Sequence, residues 1–167
     1  PWGHEAGFAA RMAMAGIFLR RSETERARLE YEALAEEAVM PSRKLEIQLA
    51  LAELAEQGGR LEEALGAYLQ LMEVEDLEEQ TRWQLVLGLA RVHLSLGNLE
   101  STVALAERWE DRIDDAMGRV LLNQTRVKAL RGLGRNDEAV ALSETLLQTA
   151  GDDEEAALMA RLDLAHE

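Results

Sequence analysis

The chain predicts an all-α protein, a solenoid of about four antiparallel helix hairpins plus a C-terminal helix. Three observations lead there. Small residues recur as Ala27, Ala64, Thr102 and Ala139, at intervals of 37, 38 and 37. Five residues before each stands a turn former, Ser22, Gly59, Gly97 or Gly134. No stretch alternates with period two, and Ala, Leu, Glu and Arg dominate a chain with two prolines, so helix is favoured nearly everywhere. A unit of this length holds two helices and a tight turn. One hairpin cannot bury its apolar face alone, so units stack.

The elements follow from capping and breaker signals. A first helix runs from about His4 to Arg20. Ser22-Glu-Thr-Glu25 has the form of a capping box and opens a second helix, reaching about Val39. Pro41-Ser42 ends that helix and starts a third, about Arg43 to Gln57. Gly58-Gly59 turns into a fourth, about Leu61 to Val74. Asp76-Leu-Glu-Glu79 resembles another capping box and opens a long fifth helix to about Leu96. Gly97-Asn98 turns into a sixth, ending near Glu110. The mostly polar run Asp111 to Asp115 leads into a seventh, about Ala116 to Leu133, and Gly134 into an eighth, about Asp137 to Thr149. Gly151-Asp-Asp153 ends it, and a ninth opens at about Glu154 with Ala156, Leu158, Met159, Leu162 and Leu164. The repeats fall at about 4–40, 42–76, 77–113 and 114–150, with the terminal helix at 152–167, in one domain without a long linker.

At 47% apolar and 30% charged residues the chain is folded rather than disordered. A net charge of -14 repels phosphate backbones and anionic membrane surfaces, so no nucleic-acid partner is expected. Cysteine is absent, which excludes disulfides, thiolate metal sites and cysteine nucleophiles. That leaves the compartment open, with the cytoplasm favoured over the periplasm. Ala6 to Leu19 is the most apolar stretch, but Arg11 interrupts it and it is too short to span a bilayer. It also lacks the basic start and cleavage site of a signal peptide. It reads as a buried first helix, with no membrane insertion in this segment. The chain opens on Pro rather than Met and is expected to be a piece of a longer protein, continuing past Glu167 or pairing there with another chain. Basic residues are arginine except Lys44 and Lys128, a habit of the source genome, which we read as bacterial.

The periodic positions have a packing reason. Each recurring Ala or Thr is placed where the second helix of a hairpin crosses the first, and a small side chain lets the backbones approach. Four residues on come Tyr31, Tyr68, Ala106 and Ser143. Twelve before come Ala15, Ala52, Ala90 and Val127. Nine before come Phe18, Ala55, His93 and Leu130, a slot that varies in size and polarity. A small residue five after a turn glycine, an aromatic four later and a small residue twelve earlier resemble the tetratricopeptide repeat, over about residues 8–150. The resemblance implies a right-handed solenoid whose first helices line a concave groove for a partner. Where that family often has a tryptophan, this chain has Arg11, Gln48, Val86 and Asn123. The family's clamp for peptide carboxyl termini is not implied, because Gly16, Glu53, Ala50 and Gly88 are among the residues at its positions.

No motif points to catalysis, a metal or a cofactor, and none of these is expected. His4-Glu5 lacks the second histidine of a zinc helix, since Phe8 holds that place. His93 occupies an otherwise apolar slot and reads as partly buried. Gly132-Leu-Gly134 has no third glycine and no strand before it, so it reads as a helix end and turn. Adjacent carboxylates such as Glu62-Glu63 point in different directions from a helix and suit helix starts. Asn123-Gln-Thr125 has the form of a glycosylation sequon but lies inside a predicted helix. Trp2, Trp83 and Trp109 read as packing residues ahead of exposed binding anchors.

Repeat and helical spacing together define a candidate partner surface. Residues one repeat apart stand on adjacent first helices: Glu53, Arg91 and Lys128; Leu49, Leu87 and Gln124; Glu56, Leu94 and Arg131. Within each helix the members are three or four apart and share a face. By the tetratricopeptide resemblance that face is the groove, acidic at Glu53 and Glu56 and basic at Arg91, Lys128 and Arg131. A solvated face carrying internal ion pairs is the plain alternative. The expected function is a non-catalytic protein–protein interaction scaffold that binds a partner peptide or helix there. Two alternatives stand beside it. One is a self-association module, giving a homo-oligomer; the other is a regulatory or targeting domain of a larger enzyme.

Overall fold

The computed structural model describes residues 2–21, 23–38 and 40–149. They form α1 (Trp2–Arg20), α2 (Thr24–Glu37), α3 (Pro41–Gln57), α4 (Leu61–Met72), α5 (Glu79–Ser95), α6 (Leu99–Trp109), a 3-10 turn (Glu110–Arg112), α7 (Ala116–Gly132) and α8 (Asn136–Thr149). No strand occurs among the described residues, so the all-α class is as expected. The expected ninth helix lies outside the described residues. The chain divides into two compact units, Pro1–Val74 and Glu75–Glu167.

In the first unit each helix packs on the next, α1 on α2, α2 on α3 and α3 on α4. Ala15, Ala27, Tyr31, Leu34, Ile47 and Leu54 form its buried core, and Phe8, Met12, Phe18 and Leu51 close around them. Tyr68 of α4 is fully buried, yet its hydroxyl donates to Glu56 Oε2 of α3 at 2.8 Å. A buried phenol needs such a partner for its polar tip. Arg11 ties α1 to α2, with Nε 2.5 Å from Glu30 and Nη1 2.7 Å from Glu37.

In the second unit α5 packs on both α6 and α7, and α7 also packs on α6 and α8. Residues 85–90 of α5 are all buried, as a helix covered on more than one side requires. Val103, Val127, Leu130 and Ala139 lie in a core closed by Leu94, Leu99, Leu133 and Leu142. A Cβ on Gly132 would stand 2.7 Å from Leu99 Cδ1, so this glycine admits the start of α6 against the end of α7.

Four helix-to-helix turns share one hydrogen-bond pattern. The N–H groups of Glu23, Arg60, Asn98 and Arg135 donate to the carbonyls of Phe18, Ala55, His93 and Leu130, each at 2.9 Å. Their own carbonyls accept from Ala27, Ala64, Thr102 and Ala139 at 3.0–3.1 Å. In three of these turns a further bond joins Gly59 to Glu56, Gly97 to Leu94 and Gly134 to Arg131. Those glycines have φ of 73, 76 and 74°. This is the Schellman helix end, which places a residue in the left-handed region where glycine carries no Cβ penalty. The four small residues are each 0% exposed. The slot that varies among Phe18, Ala55, His93 and Leu130 therefore acts through its carbonyl, which any residue type supplies.

Caps and helix ends depart from expectation. Ser22 and Val39 lie outside the described residues. α2 is entered from Glu23, whose side chain makes no cap bond and pairs with Arg26 at 2.6 Å. The Asp76 box is corrected: α5 follows Glu78, again with no side-chain cap, and Asp76 has φ 56°. Aspartate is enriched at positive φ, and Leu77 beside it is buried, so the chain spends Asp76 on a turn. Asp115 does cap α7 by its side chain, Oδ2 accepting the Gly118 N–H at 2.6 Å. α4 stops at Met72, short of Val74.

Candidate functional site

The expected partner-binding residues divide between the units. Leu49, Glu53 and Glu56 are half-buried on α3. Glu56 accepts the Tyr68 hydroxyl. Tyr31 has its pKa raised, first by burial and then by the charges of Glu53 and Glu46, with Arg20 opposing. In the second unit Arg91 on α5 and Lys128 on α7 are exposed, while Gln124 and Arg131 on α7 are half-buried. Leu87 is buried at 4% exposure and offers no accessible side chain. α5 and α7 pack directly on each other, so the basic members are carried by neighbouring helices.

The second unit also contains a cleft of about 530 Å³ between the start of α5 and the end of α6. Trp83 and Trp109, both half-buried, line it. Leu77 and Arg82 border it near Trp83, and Arg112 borders it from the 3-10 turn. Glu79, Asp111 and Asp114 are exposed at its edge. Consecutive helices joined by a tight turn bring the start of one beside the end of the next, and this unites two tryptophans from opposite ends of a hairpin. A Cβ on Gly118 would lie 3.4 Å from Trp83 Cε3 and 3.0 Å from Ile113 Cγ2, so this glycine gives room for the indole and for buried Ile113. Arg112 Cζ lies 5.3 Å from the Trp109 ring centroid, within cation–π range.

The turn carrying Trp109 and Arg112 is tied to α7. Glu110 accepts from Asn123 Nδ2 at 3.1 Å and from Arg126 Nη1 at 3.1 Å. Arg126 Nη2 also donates to Glu107 at 2.7 Å. Asn123 is 2% exposed, so the sequon asparagine is a buried structural group with no access for glycosylation. Carboxylates elsewhere are commonly paired. Glu138 with Arg135 and Glu25 with Arg28 are held below their ordinary pKa by those hydrogen bonds. Glu79, Asp111 and Asp114 make no ion pair with any described residue.

His93 is half-buried, as expected, and burial lowers its pKa. Asn98 Nδ2 lies 3.5 Å from its Nδ1. Among the described residues no group of three or more His, Asp or Glu is placed to hold a metal. No described helix is long and apolar enough to cross a membrane. Two indoles and fixed charges of both signs line the cleft, groups able to make aromatic and ionic contacts. Spacing along the sequence gives no sign that Trp83 and Trp109 share a cleft. The chain matches no family model, and no curated protein is similar to it.

Proposed function

We propose that this chain is a non-catalytic protein-interaction scaffold. In this reading its hairpins form a right-handed, tetratricopeptide-like solenoid, and a carboxylate-bearing peptide or helix of a partner lies against α5 and α7. The recurring turn bonds and the zero exposure of Ala27, Ala64, Thr102 and Ala139 support the repeat. The observation that carries the binding reading is the cation set Arg91, Lys128 and Arg131 on two packed helices of a chain with net charge -14. Arginine holds a carboxylate bidentately. Long-range repulsion slows an acidic partner, so affinity comes from close, desolvated pairs.

The test is a panel of glutamate-rich peptides against the parent and Arg91→Glu, Lys128→Glu and Arg131→Glu. Each variant is first checked for an unchanged helical spectrum. A loss of at least about tenfold per reversal, roughly 1.4 kcal/mol, is expected. Equal affinity for all three reversals places any interaction on another face.

A further inference from the structure

The cleft between α5 and α6 has no role in that reading. We propose that the Trp83–Trp109 cleft is a second binding site, for an arginine-bearing segment of a partner protein. It is independent of the α5/α7 face.

Two indoles are left half-buried at one cleft of about 530 Å³, within the roughly 300–1,000 Å³ of ligand pockets. Indole is the best aromatic face for a cation. Such a contact already exists, because Arg112 Cζ lies 5.3 Å from the Trp109 centroid. A guanidinium therefore fits there, and the one in place comes from an exposed side chain. Glu79, Asp111 and Asp114 stand at the edge without an ion-pair partner among the described residues. Three carboxylates face two guanidiniums, so the cleft has the sign of the whole chain at -14. That field steers cationic segments toward it. Arg112 is then an internal stand-in, which a partner's arginine displaces from Trp109. Its removal should strengthen binding of a basic segment and weaken binding of an acidic one. The sign of that change decides which chemistry the cleft takes.

The probes are a capped alanine peptide carrying two arginines, its neutral citrulline counterpart and its glutamate counterpart. Binding to the full chain is followed by calorimetry and indole emission. The arginine peptide should bind saturably and more weakly as salt rises, with the citrulline peptide at least about tenfold weaker. Asp111→Asn with Asp114→Asn, both exposed and safe for folding, should weaken it about three- to tenfold. Trp109→Leu should weaken it by about 2- to 30-fold, the span of one cation–π contact. Arg112→Ala should tighten it, and Arg91→Glu should leave it unchanged, which separates this site from the α5/α7 face. Absence of saturation, equal binding of the citrulline peptide, preference for the glutamate peptide, or weaker binding by Arg112→Ala overturns the proposal.

Discussion

Gly97→Ala isolates what the repeated turn requires of the backbone. Gly97 has φ 76°, and a Cβ built there meets nothing within 4 Å. Sterics from neighbours therefore contribute nothing, and the conformation alone sets the cost. An L-residue in the left-handed region costs about 1–2 kcal/mol. Replacing glycine also restricts the unfolded chain, which returns about 0.4–1 kcal/mol. The net loss is about 1 kcal/mol. In a chain of 167 residues that lowers Tm by about 2–4 °C. Gly66, inside α4, is the control: its added Cβ also meets nothing within 4 Å, but it sits at no positive φ. Gly66→Ala should stabilise by about 0.5–1 kcal/mol. Chemical denaturation of both variants, with Gly97→Asn as the tolerated left-handed residue, gives the answer. If Gly97→Ala matches the parent, or if Gly97→Asn is worse than Gly97→Ala, the turn does not rest on its left-handed glycine.

Ala64→Trp should destabilise the first unit by about 1–3 kcal/mol or more, because Ala64 is 0% exposed on a helix that packs on α3. An unchanged denaturation midpoint would place Ala64 away from a helix contact. Tyr68→Phe removes the hydroxyl bonded to Glu56 at 2.8 Å. Bonds to charged groups contribute about 1.5–3 kcal/mol, and half-buried Glu56 regains some water, so a loss of about 1–2 kcal/mol is expected; parity with the parent would show that the bond adds nothing net. Burial lowers the His93 pKa, so the unfolded chain takes up its proton first as pH falls. The His93 contribution is full above the ordinary imidazole value of about 6.5 and declines below it. His93→Gln should flatten the fall in stability between about pH 7.5 and 5.5, and parallel profiles would exclude His93 as the source. The lowered carboxylates Glu25 and Glu138 act in a separate window, losing their contribution only as pH falls below about 4.3.

The helices and their turns were legible because both rest on local chemistry. A turn glycine, a small residue five later and an apolar period each leave a mark within a few residues. The Asp76 capping signal was a weaker guide. Asp76 has the residue type of a cap, but it is drawn into a left-handed turn beside buried Leu77. Side-chain caps are one of several ways to satisfy a helix start. At Glu23, Arg60 and Asn98 the helix starts carry no side-chain cap bond, and the backbone runs through similar angles, with φ of -86, -83 and -79°. The slot of Phe18, Ala55, His93 and Leu130 looked poorly patterned for a related reason. Its shared role is a carbonyl accepting from five residues ahead, and a carbonyl leaves no trace in side-chain chemistry.

The candidate surfaces were legible to different depths for the same physical reason. Arg91, Lys128 and Arg131 follow from two periods, the repeat and the helix turn, and they fall on α5 and α7, which pack on each other. Leu87 obeyed the same spacing and is buried, because α5 is covered by both α6 and α7. Spacing assigns a face but not how much of it a neighbour covers. The tryptophan cleft follows no period at all. Trp83 stands one turn into α5 and Trp109 closes α6, and only the hairpin brings them to one place. The place of Trp83 depends on Gly118, whose missing side chain makes room for the indole and for Ile113. The turn after Trp109 is held by Asn123 and Arg126 reaching Glu110 from α7. The regular positions build the recurring turns and the buried small residues beside them. The two tryptophans belong to no such pattern, and the cleft they line depends on which helices end side by side rather than on any spacing within them.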